Sequence, residues 1–342
     1  MAARATRSAS RRAVRNAEAV ATGPLGLLSH DELGVIVDGL ANPLQPVVAV
    51  ALSSTCKGLR TPLRAALELL QERHGRAVAL CNKVGTTCAG LAGAKTLVWR
   101  TKGLNADDMA TLRMILCTSG LPRLNGIDCS NNSFGDAGMQ SLCDGLGSGG
   151  APKLRALNLD QTNEVGSHEV GPTGAVVRNH GNDDFGPAGA EALAAVLRSG
   201  ALPELRALSL NGASIGSQGL TNLAAPLRKL PALLWLALGL CEIGDEGVAS
   251  LVGDLGKDDF KALRQLHLIG NKITGMGMAK LAGAIDAGGM PKLVDGEAEF
   301  EGTLWRGNFL ASAAAGQAVH DALAKRQGVK FSPALVLSEL DL

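Results

Sequence analysis

Glu164, His168, Glu169, His180, Asp183 and Asp184 crowd into one short stretch, and imidazoles mixed with carboxylates are the side chains that ligate divalent metals. The segment is glycine-rich, and no helix or strand signal holds any two of them in a fixed geometry. It therefore reads as a loop, and no metal is expected. Cys81 and Cys88 are too far apart in sequence for a C-x-x-C pair, and no matching Cys or His pair follows at zinc-site spacing. Gly-x-x-Gly starts at Gly135, Gly186, Gly216 and Gly244, but no Lys or Ser/Thr follows as a phosphate-cradling loop requires. The six histidines have no serine, cysteine or carboxylate at a catalytic spacing. Neither an enzyme nor a cofactor is expected.

Those glycines recur in phase with something larger. Leu205-x-x-Leu208-x-Leu210, Leu233-x-x-Leu236-x-Leu238 and Leu263-x-x-Leu266-x-Leu268 repeat one phrase, with steps of 28 residues from Leu205 to Leu233 and 30 from Leu233 to Leu263. A fixed period in this range marks a solenoid whose units bury their apolar faces against one another. Alternating leucines give a short strand with one side in the core. Asn271 is placed to satisfy backbone groups as the chain leaves its strand, whereas Cys241 and Ala213 hold the equivalent positions, and the turn at Ala213 should be held less firmly. Gly216 and Gly244 are expected to permit the turn, Asp245 and Thr274 to cap the following helix, and Leu223, Leu251 and Leu281 to anchor it. Pro203, Pro231 and Pro291 precede the restarts.

The phrase resembles the leucine-rich repeats of the ribonuclease-inhibitor type, found also in Ran GTPase-activating proteins and nucleotide-binding innate receptors. It covers roughly residues 94–327. The resemblance implies an α/β fold: a horseshoe solenoid with an inner parallel sheet and outer helices, whose business is protein–protein interaction. A GTPase-activating role would by the same resemblance need a loop arginine, and Arg178 is the candidate that location offers.

Earlier phrases open at Leu97, Trp99 and Leu104, at Leu124, Ile127, Cys129, Asn132 and Phe134, and at Leu154, Leu157 and Leu159. The following start, Leu205, comes 51 residues after Leu154, so an insertion lies at 163–183 and Phe185-Gly186-Pro187 resumes the pattern. Counting from Phe300 makes a closing repeat with Trp305 and Asn308. A helix follows through Ala318, Val319, Ala322 and Leu323, and residues 328–342 form a tail.

Ahead of the repeats, residues 1–22 carry five arginines against one acid, which reads either as a disordered basic tail or as a targeting leader. Ser29-His30-Asp31-Glu32 has the form of a capping box, and Leu33, Ile36, Val37 and Leu40 follow at helical spacing. Leu63, Ala66, Leu67 and Leu70 line a further helix beyond Pro62, and residues 75–93 read as a Gly/Ala/Thr-rich junction. Within 25–80 the order of Leu28, Leu33, Ile36, Leu40 and Leu59 resembles an F-box, which implies docking on a Skp-type adaptor of a cullin-RING ubiquitin ligase. The alternative is a helical cap on the solenoid.

The chain has 342 residues, net charge +1 and 46% hydrophobic residues, without an apolar run of membrane-spanning length. Near-neutral balance argues against nucleic acid or a membrane surface as partner. A soluble intracellular protein is expected, cytoplasmic or nuclear, or mitochondrial or plastid should the arginine-rich leader be a transit peptide. The seven cysteines are read as reduced.

If the leucines point inward, the alternate positions form the concave face. Its expected partner-contacting residues are Arg100, Asp128, Asn158, Asp160, Asn211, Trp235, His267 and Arg306. Trp235 stands out as a large aromatic among small polar residues, either anchoring a partner or packing on its neighbours.

Overall fold

The computed structural model describes Val35, residues 42–48, 50–51, 64–161 and 185–294, Asn308, and residues 313–325. The F-box-like positions Leu28, Leu33, Ile36, Leu40 and Leu59, the loop arginine Arg178 and the contact candidate Arg306 lie outside these residues. The chain divides into two compact units after Ala92.

In the first unit, helix α1 spans Arg64–Val84 and helix α2 Cys88–Ala92. The stretch expected to be a junction from residue 75 is thus helical as far as Val84. Leu70, Ala77, Leu80, Cys81 and Val84 fall on one helical face and are buried. That continuous apolar stripe outweighs Gly75, whose helical cost is only about 1 kcal/mol. His74 Nδ1 lies 2.7 Å from the Pro43 carbonyl, which joins the helix to the turn at residues 42–45. Gly85 ends α1 at φ +81°, a left-handed conformation that glycine adopts without strain.

The second unit repeats a strand and a helix. Strands β1 (Thr96–Val98), β2 (Gly126–Asp128), β3 (Ala156–Asn158), β4 (Ala207–Ser209), β5 (Trp235–Ala237) and β6 (Gln265–His267) form one parallel sheet in chain order. Helices α3 (Ala106–Thr118), α4 (Gly135–Gly147), α5 (Pro187–Ser199), α6 (Gly216–Lys229), α7 (Asp245–Val252) and α8 (Gly275–Asp286) alternate with the strands, and each packs on the next. Helix α9 (Ala313–Ala324) packs on α8.

The register is unbroken: Leu97, Ile127, Leu157, Leu208, Leu236 and Leu266 stand side by side and all are buried. Each such side chain removed from water contributes roughly 1.5–3 kcal/mol. The 51-residue step between Leu157 and Leu208 leaves this column undisturbed, so the extra residues are accommodated between β3 and α5. Leu223, Leu251 and Leu281 are fully buried, as helix anchors should be.

Asparagines close the turns. Asn271 Oδ1 accepts from Cys241 N and Ile243 N at 2.9 and 3.0 Å, while its Nδ2 donates to the carbonyls of Leu238 and Leu268. Asn132 does the same work with Leu104 N, Trp99 O and Cys129 O. Asn308 accepts from Ile273 N and donates to Leu268 O, the register that counting from Phe300 gives it. At the Ala213 turn, where no side chain can do this, Ala213 N donates to Leu210 O at 3.0 Å and the Cys241 thiol reaches the same oxygen at 3.1 Å.

The helix caps differ from expectation. Thr274 does cap its own helix, its hydroxyl accepting from Met276 N. Asp245 does not cap α7. Its carboxylate reaches forward to Thr274 N, Thr274 Oγ1 and Gly277 N at the start of α8. Asp136 on α4 likewise receives Gly186 N and Gly189 N of α5, and Ser217 on α6 receives Gly244 N ahead of α7. Each of these caps is lent to the next repeat, because parallel neighbouring helices bring one first turn beside the next free amide ends. Close approach makes it possible: a Cβ on Gly277 would collide with the Asp245 carboxylate. Gly216 needs its left-handed φ of +62°, but Gly244, at φ −103°, does not.

Candidate protein-binding face

The strands are only three residues long, so each turns two alternate positions away from its buried central residue. Asp128, Asn158, Trp235 and His267 stand on β2, β3, β5 and β6, and Arg100, Asp160 and Asn211 just beyond the ends of β1, β3 and β4. All seven are half-buried. Val98, beside Asp128 in register, is 67% exposed.

Two groups form on this face. Asp160 sits at the centre of the first: Oδ1 accepts from Ser209 Oγ at 2.5 Å and Asn211 N at 2.8 Å, and Oδ2 from Asn211 Nδ2 at 3.3 Å. Asn211 Oδ1 then accepts from Gly239 N at 2.7 Å, carrying the chain of bonds from β3 across β4 to the end of β5. Burial raises the Asp160 pKa above the ordinary carboxylate value, Asp128 nearby adds to the rise, and the bonds from Ser209 and Asn211 oppose it. Much of the hydrogen-bonding capacity of Asp160 and Asn211 is therefore spent within the fold. Asp128 in turn accepts from Ser130 N and Oγ, and Asn158 from Asp160 N.

The second group is aromatic. The Trp235 and His267 rings lie 4.4 Å apart between centroids, inclined by 38°. Trp235 pairs with Gln265 in register and His267 with Ala237, so the indole reaches diagonally across the sheet. Ala237, which alternates with Leu236 on β5, is nonetheless only 1% exposed. His267 Nε2 lies 3.3 Å from Gln265 Oε1, and burial holds the imidazole pKa down at about 4, so it is neutral at physiological pH. A neutral imidazole against an indole makes a largely apolar shelf with a polar edge, chemistry that suits a protein contact.

Within this arrangement residues 233–252 match the family described as Leucine Rich repeat. They contain β5, the Cys241 turn and α7, and the register of the sheet extends the same pattern to its other strands. The chain carries leucine-rich repeats. Trp235 thus occupies an outward strand position of a recognised repeat, where sequence reasoning placed it. Ser209 and Gln265, read as part of the face but not among its contact residues, turn out to organise it. Their signal was their alternation with Leu208 and Leu266.

Of the cysteines, Cys129, Cys143 and Cys241 are buried without disulfide partners. Burial pushes the Cys143 thiol up to about 12 and Cys129 higher still, which makes them inert core residues. Among the described residues no three His, Cys, Asp or Glu side chains gather as a metal site would require, and no helix is long and apolar enough to cross a membrane.

Proposed function

We propose that this protein is a non-enzymatic scaffold that holds a protein partner on the open face of its repeat sheet, with Trp235 and His267 as the central contact. Leucine-rich repeats are in general protein-interaction modules, which is the broader ground for the reading. The observation that carries it is the Trp235–His267 shelf, an aromatic pair at the positions of β5 and β6 that alternate with the buried Leu236 and Leu266. Tryptophan is enriched among residues that dominate binding energy. Alternation of strand and α-helix at steps of 28 to 30 residues, apart from the 51-residue step from β3 to β4, supports assigning the repeats to the ribonuclease-inhibitor type. The test is affinity purification with the wild-type chain and Trp235→Ala in parallel: the partner should be recovered by the first and lost from the second, with both equally folded. A partner retained undiminished by the variant places the contact elsewhere.

A sharper form makes the chain a substrate receptor of a cullin-RING ubiquitin ligase, on the sequence order of Leu28, Leu33, Ile36, Leu40 and Leu59. Binding of the full-length chain to a purified Skp-type adaptor, lost in a Leu33→Asp/Ile36→Asp variant, is the outcome that reading requires.

A further inference from the structure

The first unit holds a pair of side chains that the scaffold reading does not use. Helix α1 places Cys81 on its buried stripe, and the turn at Gly85 sends the chain back so that Cys88, the first residue of α2, comes alongside. The two sulfurs are 3.8 Å apart. Cys81 is 1% exposed and Cys88 half-buried. Cys88 belongs to the wall of an open groove of about 620 Å³, shared with Leu44, Pro46, Val48, His74 and Val78. Cys81 also touches this groove, but Cys88 is the more solvent-accessible of the two. A disulfide needs the sulfurs at about 2.04 Å. The remaining gap of just under 2 Å is within the swing of two cysteine side chains, and residues 85–87 between the two helices form a turn.

We propose that Cys81 and Cys88 form a thiol–disulfide couple, a modification site whose oxidant is a small disulfide of the glutathione class. The Cys88 thiolate attacks one sulfur of glutathione disulfide, whose S–S bond breaks. One glutathione leaves as thiolate and takes up the proton that Cys88 gave to solvent. Cys81, losing its own proton, then attacks the Cys88 sulfur of the mixed disulfide and displaces the second glutathione, which is protonated in turn. Two protein thiols are oxidised by two electrons, and one glutathione disulfide is reduced to two glutathiones. The order follows from access: burial, reinforced by Cys88, pushes the Cys81 thiol up to about 12, so Cys81 resolves the adduct rather than starting it. The bond would tie the end of α1 to the start of α2 at the groove wall.

The experiment uses the reduced full-length chain, incubated with glutathione disulfide, digested without reduction and mapped by mass spectrometry. The expected product is a peptide pair joined through Cys81 and Cys88, reversed by dithiothreitol. In Cys81→Ser the reaction should stop at a stable glutathione adduct on Cys88, and Cys88→Ser should leave Cys81 unmodified. A wild-type chain that accumulates the Cys88 adduct, or joins either cysteine to Cys117 or to a second molecule, would overturn the assignment. The wild-type map decides this even where a serine variant folds poorly.

Discussion

The Trp235 indole rests against the His267 imidazole from the adjacent strand, with the ring centroids 4.4 Å apart. Trp235→Ala should release His267 from much of its burial and move its pKa from about 4 back toward the ordinary 6.5. Proton NMR titration of the imidazole reads this directly. The melting temperature should fall by no more than a few degrees, since the tryptophan is half-buried and outside the leucine column, while partner binding should weaken at least tenfold. A drop typical of a core truncation, about 3–5 kcal/mol, would make Trp235 a core residue instead.

Stability should bend with pH in two opposed ways. His267 has a depressed folded pKa, so its contribution is present above about 6.5 and is lost as pH falls through about 4, up to about 3 kcal/mol. Asp160 has a raised folded pKa, so its contribution is fully present below the ordinary carboxylate value and is lost as pH rises through the raised one. Urea titrations from pH 7 to pH 4 should show His267→Gln losing less stability on acidification than wild type, and Asp160→Asn losing more. Parallel curves for all three proteins would contradict both assignments.

Asn271→Ala should be among the most damaging single changes. It strips partners from two buried amides, Cys241 N and Ile243 N, and from the Leu238 carbonyl. Each orphaned buried group costs about 1–3 kcal/mol, so equilibrium unfolding should show a loss of at least about 3 kcal/mol.

Asp245→Ala removes the borrowed cap of α8 and should cost about 1–2 kcal/mol. Gly277→Ala drives a methyl group into the same carboxylate and toward Ile273, at a similar cost. Because both act on one contact, the double variant should lose less than the two single losses added together, as a double-mutant cycle in urea would show.

Much of this architecture could be read from periodicity. Leucines at fixed spacing place Leu208, Leu236 and Leu266 on adjacent rungs, and an amide after the strand marks Asn271 and Asn308 as turn closers. What periodicity cannot convey is what a side chain meets on the neighbouring rung. Asp160 and Asn211 look available for a partner in the sequence, yet they bond each other at a sequence separation of 51. Asp245 looks like the cap of its own helix because propensity rules consider one helix at a time, and a neighbour 29 residues on claims it. The extent of α1 is masked in the sequence by Gly75 and by the Gly/Ala/Thr-rich composition that continues past its end, although the stripe from Leu70 to Val84 keeps helical phase.

The lending of caps from Asp136, Ser217 and Asp245 always runs forward along the chain, which gives the array a direction. A rung that loses its successor keeps its own helix start intact and merely exposes a polar side chain to water. One that loses its predecessor loses the acceptors lent to its first amides, as α8 would lose Asp245 while keeping Thr274. The solenoid should therefore tolerate trimming from its carboxyl end better than from its amino end. During synthesis, the rung already outside the ribosome holds ready the group that the next one needs.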